Sequence, residues 1–167
     1  MLKKSLTALV LATSLLATST ADAALNAYLK LKGQKTGDIR GSVTQKGREN
    51  TIMVIAVEHT SGKKVLTLTK EIDKSSPLLH QAYTNGEPMA EFTLQFWRPQ
   101  ISAQQGVGSE VQHFTVKLTN ARIQSIHTQM LNNKNPELMR YETQEEVTFT
   151  YDKIEFTWVD GGLVGTE

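Results

Sequence analysis

The sequence predicts a mainly β protein: a small two-sheet β-barrel with one flanking short α-helix and a long extended loop. Three observations carry this. Apolar residues recur at every second position through most of the chain, the period of a strand with one buried face. A single stretch, Ser75 to Gly86, carries a complete set of helix start and stop signals. Near the end, Val147, Phe149 and Tyr151 share one parity and Ile154, Phe156 and Trp158 the other, with no turn residue between. Such a change requires a bulge or bend at Asp152-Lys153, which lets one strand serve two sheets or turn a barrel corner.

The first 23 residues stand apart as an expected signal peptide. Lys3 and Lys4 form a basic start, Leu6 to Ala17 is apolar, and Ala21-Asp22-Ala23 is an A-x-A cleavage site. The apolar run is short for a membrane span. Cleavage between Ala23 and Ala24 leaves a single domain over residues 24–167. Removing Lys3, Lys4 and Asp22 from the 18 basic and 17 acidic residues leaves 16 of each. No basic excess points to nucleic acid or anionic lipid, and a zero balance favours self-association. The chain has no cysteine. That excludes disulfides and thiolate metal sites, so stability rests on packing and oligomerisation.

In chain order, Ala27, Leu29 and Leu31 alternate with Tyr28, Lys30 and Lys32 as a half-buried strand. Gly33 to Asn50 is polar and glycine-punctuated, with Ile39 and Val43 its only sizeable apolar residues. A loop of this length is either a surface connection or a functional element. Thr51 to Thr60 is nearly continuously apolar and predicts a strand covered on both faces. After the Ser61–Lys64 turn, Leu66, Leu68 and Ile72 share one face of the next strand and Thr67, Thr69 and Glu71 the other.

The helix follows. Ser75 or Ser76 suits the N-cap, and Pro77 suits the first helical position, where no N–H is needed. Leu78, Leu79, Ala82 and Tyr83 fall at helical spacing and form the predicted apolar stripe; Asn85-Gly86 supplies the left-handed stop. In the next strand Phe92, Leu94 and Phe96 face inward, leaving Trp97 on a polar face where a large aromatic needs a partner. Pro99 to Glu110 reads as a hairpin loop. Phe114, Val116 and Leu118 then face inward, Asn120-Ala121 is a bend, and Arg122 to Met130 is a further strand. Asn132 to Pro136 is a turn. Gly161-Gly162 is expected to end the ordered core, with the last residues frayed. The count is about seven or eight strands, fitting a small barrel or sandwich.

No residues form a recognisable catalytic, cofactor or metal motif. His59, His80, His113 and His127 lie in separate segments without metal-ligand spacing. Glu145 and Glu146 are adjacent in a strand and so point to opposite faces, which disqualifies them as an acid/base pair. Gly106-Val107-Gly108 lacks the context of a phosphate loop. The aromatic residues at strand spacing read as core and interface. Polar strand faces, Trp97, the long loop and the zero balance together suit a subunit of an assembly.

Four blocks carry a resemblance. Ala27-Tyr28-Leu29-Lys30-Leu31-Lys32-Gly33, the run Thr69 to Leu78 (TKEIDKSSPL), Val116 to Ala121 (VKLTNA) and Glu146 to Trp158 (EVTFTYDKIEFTW) occur in this order. In these blocks the chain resembles the haemolysin-coregulated protein (Hcp) family. The resemblance implies a non-enzymatic tube subunit without cofactors, forming homohexameric rings that stack into the inner tube of the type VI secretion system. A contractile sheath drives that tube into a neighbouring cell, a route of effector delivery in virulence and interbacterial competition. The tube is exported to the outside, holds small effector proteins in its lumen and bears a spike protein at its tip. The resemblance also makes the long loop a ring-stacking element, with Gly37, Asp38, Arg40, Gly41, Lys46 and Arg48 as candidates, and puts the helix on the flank of the barrel.

The signal peptide departs from that pattern, because it suggests a periplasmic route whereas tubes assemble in the cytoplasm. It motivates a rival expectation, a periplasmic or extracellular carrier barrel not assembled into a tube. Such a carrier needs a wide apolar cavity, and the alternating apolar residues here suffice to fill only a small core. A glutamate-based hydrolase has only scattered carboxylates behind it.

Overall fold

The computed structural model describes residues 25–100 and 110–167. Eleven strands and one helix follow in the order β1 (Ala27–Gly33), β2 (Gly37–Ile39), β3 (Ile52–Val54), β4 (Ala56–His59), β5 (Val65–Glu71), α1 (Ser76–Thr84), β6 (Met89–Pro99), β7 (Glu110–Thr119), β8 (Arg122–Gln129), β9 (Gln144–Thr150), β10 (Lys153–Trp158) and β11 (Leu163–Thr166). The larger sheet runs β11-β10-β7-β6-β1-β2, with β3 also paired to β1; the smaller runs β4-β5-β9-β8. The chain is mainly β with two sheets and one flanking helix, as the alternation predicts. The sheets face each other without closing into a hydrogen-bonded barrel.

Three short bends carry the chain between the sheets. The parity change near Asp152 is one of them: β9 belongs to the smaller sheet and β10 to the larger. Asn120, with φ of 58°, makes the reverse crossing between β7 and β8. The two crossings are tied together, because Asp152 N–H donates to Thr119 O at 3.0 Å and Asn120 Nδ2 donates to Asp152 Oδ2 at 2.7 Å. The third crossing corrects the reading of Thr51 to Thr60. That run is two strands, β3 and β4, split at Ile55 and assigned to different sheets. Ile52 and Val54 are buried while Met53 and Ile55 are exposed, so the run has one covered face.

Between the sheets lie Leu29, Leu94 and Ile154 from one side and Leu66, Val147 and Phe149 from the other. Phe92 and Phe149 meet edge-to-face with centroids 5.1 Å apart, the favoured geometry for aromatic quadrupoles. The alternation of β8 is rescued by a register shift between Ile123 and Ser125, which brings both Ile123 and Ile126 to the core.

α1 closes one open side of the pair of sheets. Pro77 lies in its first turn and Gly86, with φ of 57°, follows its end, as the helix signals predict. Leu79 and Ala82 are buried and Leu78 is half-buried against the core; burying Leu79 alone is worth roughly 2–3 kcal/mol. Tyr83 departs from the predicted stripe and is 44% exposed. Ser75 makes no side-chain cap bond, because its hydroxyl donates to Asp73 Oδ1 at 2.5 Å.

Two further expectations are corrected. Ile72 is exposed, and Lys70 takes the inward position after Leu66 and Leu68. The residues after Gly161-Gly162 do not fray. Both glycines have positive φ and turn the chain into β11, which pairs with β10; the Glu167 N–H then donates to Ile154 O at 3.0 Å. The Pro99–Glu110 loop lies largely outside the described residues, but its ends are antiparallel neighbours, Pro99 opposite Glu110.

Candidate assembly surface

The long loop is less extended than its composition suggests. Its first part is a hairpin: β2 pairs with β1, and Ile39 is buried. The turn between them is held from below by Glu87, which accepts the N–H groups of Lys35 at 2.5 Å and Thr36 at 3.0 Å, and the Thr36 hydroxyl. Burial would raise the Glu87 pKa, but these three donors outweigh it and hold the carboxyl below its usual range. A Cβ at Gly33 would meet the Glu87 carboxylate at 2.9 Å, so a side chain there would push aside the group that holds the turn.

From Gly41 the loop folds back on itself. Gly41 N–H donates to Asn50 O at 2.9 Å, Asn50 N–H to Val43 O at 2.8 Å, and Arg48 N–H to Gln45 O at 3.0 Å. A Cβ on Gly41 would lie 2.2 Å from Thr51 O and 2.5 Å from Ile52 Cα, closer than any side chain permits. The loop then docks on the outer face of the larger sheet. Tyr28 hydroxyl donates to Gln45 Oε1 at 2.7 Å, and the buried Arg48 guanidinium lies 4.6 Å from the centroid of Tyr28 and 4.4 Å from that of Trp97. Arg48 Nη2 donates to Glu110 Oε2 at 2.6 Å. Trp97 thus finds its partner in a cation. On the other flank, Ser42 N–H donates to Asp73 Oδ2 at 3.0 Å and Lys74 Nζ to Asn50 Oδ1 at 3.2 Å.

Asp73 links this loop to a buried charge cluster under α1. Lys70 Nζ lies 3.0 Å from Asp73 Oδ1, 3.1 Å from Glu145 Oε2 and 3.1 Å from Ser76 Oγ; Lys70 and Glu145 are direct register partners on β5 and β9. Ser76 hydroxyl donates to Glu145 Oε2 at 2.9 Å, and His80 Nε2 is 3.8 Å from Glu145 Oε1. Burial raises the Asp73 pKa, yet the bonds from Ser75 and Lys70 prevail and lower it. The cluster pins the helix start to the smaller sheet. Both Lys70 and Glu145 are buried.

The outer face of the larger sheet is polar. Register aligns Lys30, Thr93, Lys117 and Glu155 across four strands. Between the sheets, a void lined by Leu29, Val54, Leu68 and Phe149 measures about 10 Å³, too small for any ligand.

A family model described as "Type VI secretion system effector, Hcp" matches residues 28–158. The chain belongs to the Hcp family. It is 29% identical over 165 residues to the "Major exported protein" of Pseudomonas aeruginosa, covering 84% of this chain and 93% of that protein. Among solved structures, "Crystal structure of Hcp protein" superposes with a TM-score of 0.75 at 25% identity, over 86% of this chain and 97% of that one. The secreted protein Hcp3 from Pseudomonas aeruginosa gives 0.71 at 29% identity, and the Hcp1 protein of E. coli EAEC 042 gives 0.68 at 32%, each over the same shares of the two chains.

Within this Hcp fold the six loop candidates divide. Asp38, Arg40 and Lys46 are exposed, with Arg40 Nη2 3.3 Å and Lys32 Nζ 3.8 Å from the carboxylate of Asp38. Gly37 and Gly41 act through the backbone: Gly37 starts β2 with φ of 76°. Arg48 turns inward and is unavailable as a surface contact. Of the helix candidates, Pro77 and Tyr83 are exposed and Leu79 and Ala82 are core. Ala23, Ala24 and the rest of the stretch expected to be a signal peptide, residues 1–23, lie outside the described residues. The structural roles of Lys70, Glu145, Glu87 and Glu110 escaped the sequence reading. Lys70 and Glu145 left a signal, since each has the inward parity of its strand (Leu66 and Leu68, Val147 and Phe149) despite its charge.

Proposed function

We propose that this Hcp-family protein is a structural subunit of the type VI secretion tube: six copies form a ring, rings stack, and the lumen carries small effector proteins. The family match over residues 28–158 carries this reading. Polar outer sheet faces and a loop whose exposed tip is charged are consistent with a subunit that lines a wet channel and meets neighbours. The contractile sheath and the spike protein are the further partners it implies, and export through the machine is its destination. No step of chemistry is required of the chain.

Native mass spectrometry and electron microscopy of the purified protein test the ring. Six-membered rings are expected; a strict monomer at high concentration would overturn the proposal. For stacking, Arg40→Glu and Lys46→Glu are suited because both side chains are exposed, whereas a deletion across Gly37 to Gly47 would also remove β2 and the buried Ile39. The charge reversals should leave single rings intact and shorten the stacks. N-terminal mass spectrometry of cell fractions tests the signal peptide: tube-associated protein that begins at Met1 argues for the cytoplasmic route, and one that begins at Ala24 for the periplasmic.

A further inference from the structure

An open groove of about 380 Å³ lies where β3 bends toward β4, between a wall formed by Ser42–Gln45 and a wall formed by Glu71–Asp73. Ser42 N–H donates to Asp73 Oδ2 at 3.0 Å and ties the two walls together. The floor is apolar and open: Met53, Ile55 and Ile72 are 37%, 42% and 48% exposed. Three neighbouring apolar side chains left in water mark a surface that another molecule covers. The backbone beside the floor is already committed. Ile55 N–H donates to Thr69 O at 2.9 Å, Ile72 N–H to Thr143 O at 3.0 Å and Val43 N–H to Thr51 O at 3.4 Å. An occupant is therefore recognised through its side chains rather than by adding a strand.

Charge narrows what that occupant is. Glu71 lines the groove, and a second hollow that shares Glu71 and Ile72 with it is lined by Glu142. Among the described residues neither Glu71 nor Glu142 forms an ion pair. Asp73 adds a third carboxylate, which keeps its charge at neutral pH because the bonds from Ser75 and Lys70 outweigh burial. The two lysines of this segment turn elsewhere: Lys70 is buried against Asp73 and Glu145, and Lys74 Nζ donates to Asn50 Oδ1 at 3.2 Å. An apolar floor with carboxylates along one wall matches a ligand that is itself apolar on one side and cationic on the other.

We propose that this groove docks a segment of a partner protein in which apolar side chains lie beside lysine or arginine, the apolar groups seated on Met53, Ile55 and Ile72 and the cation at Glu71 and Glu142. Burial of the apolar groups supplies the affinity, and the carboxylates select the sign of charge. Docking here does not rest on the ring reading, and the two fail separately.

Methyl NMR of the full chain, labelled at methionine and isoleucine, tests this with three capped tetrapeptides. All share a leucine-phenylalanine centre, and their flanking residues are lysine, glutamine or glutamate. The lysine peptide should shift the Met53, Ile55 and Ile72 methyls. The glutamine peptide should bind there about threefold or more weakly, and the glutamate peptide more weakly again. Glu71→Gln with Glu142→Gln should erase that ranking with the remaining methyl signals unmoved, Ile72→Ser should weaken all three peptides, and added salt should narrow the differences. Equal binding of the three peptides would overturn the proposal, as would shifts confined to other methyls or no shift at all. Shifts of the same three methyls that grow with protein concentration and exclude the peptides would overturn it in favour of a second copy on this face. Native mass spectrometry of the same samples reports the ring separately: hexamers that bind no peptide leave the ring reading standing.

Discussion

The guanidinium of Arg48 donates to the carboxylate of Glu110 at 2.6 Å, joining the end of the long loop to the first residue of β7, 62 positions further along the chain. The aromatic rings of Tyr28 and Trp97 lie against the same cation. The loop's docked shape is thus anchored by this buried cation, with Gln45 on Tyr28 and Ser42 on Asp73 beside it, rather than by an apolar core of its own. Replacing Arg48 by alanine should cost about 2–3 kcal/mol and loosen residues 42–50. Faster amide exchange in that stretch, with the rest of the sheet protected, is the expected reading. Arg48→Lys should recover only part of the loss, because an ammonium lacks the flat fork that stacks on both rings.

Gly41 sets the path into that loop. Its missing Cβ is where Thr51 O and the Ile52 backbone sit, so Gly41→Ala should destabilise by about 2 kcal/mol or more. Gly47, at the exposed tip with φ of 83° and open space around it, provides the contrast. There alanine meets only backbone strain, about 1 kcal/mol. Urea denaturation of the two variants should show that order.

The Lys70–Glu145 pair is buried on both sides. Lys70→Met should cost about 3–5 kcal/mol, since it leaves Glu145 and Asp73 without their cation. Removing both charges with Lys70→Met and Glu145→Leu should cost less than Lys70→Met alone, because the fully buried Glu145 carboxylate is gone and only the more exposed Asp73 is left without its cation. Thermal unfolding midpoints compared across the three proteins check this.

Acid should weaken the fold in a defined window. Glu87 and Asp73 are held below their free values of 4.5 and 3.8. A carboxyl with a depressed folded pKa stabilises fully above its unfolded pKa and loses that contribution as pH falls through the folded one. The contribution of these two carboxyls to the urea midpoint should therefore stay level from neutral pH down to about 5 and decline below, while the half-buried His113, held below 6.5 by burial, adds a loss that begins at higher pH. Glu87→Gln should lower the level part and make the decline shallower.

What was legible in the sequence were the features with a short period. Two-residue alternation marked most strands, and the proline and glycine that bracket α1 marked the helix. The parity change at Asp152 marked a crossing between sheets, because a side chain's face follows directly from its position along a strand. The blocks around Lys70–Leu78 and Glu146–Trp158 carried the family. Features that depend on which strands become neighbours were not legible. Thr51 to Thr60 looked like one doubly covered strand because composition does not show that Ile55 turns from one sheet to the other. The inward position of Arg48 depends on Tyr28, Trp97 and Glu110 converging from three strands. The pairing of Lys70 with Glu145 depends on the β5–β9 register. By itself the sequence determined the fold class, the helix and the family, since local sterics and burial parity are properties of the chain. The tertiary structure alone decided which charges are buried and where the long loop docks, since both follow from contacts between residues far apart in the chain.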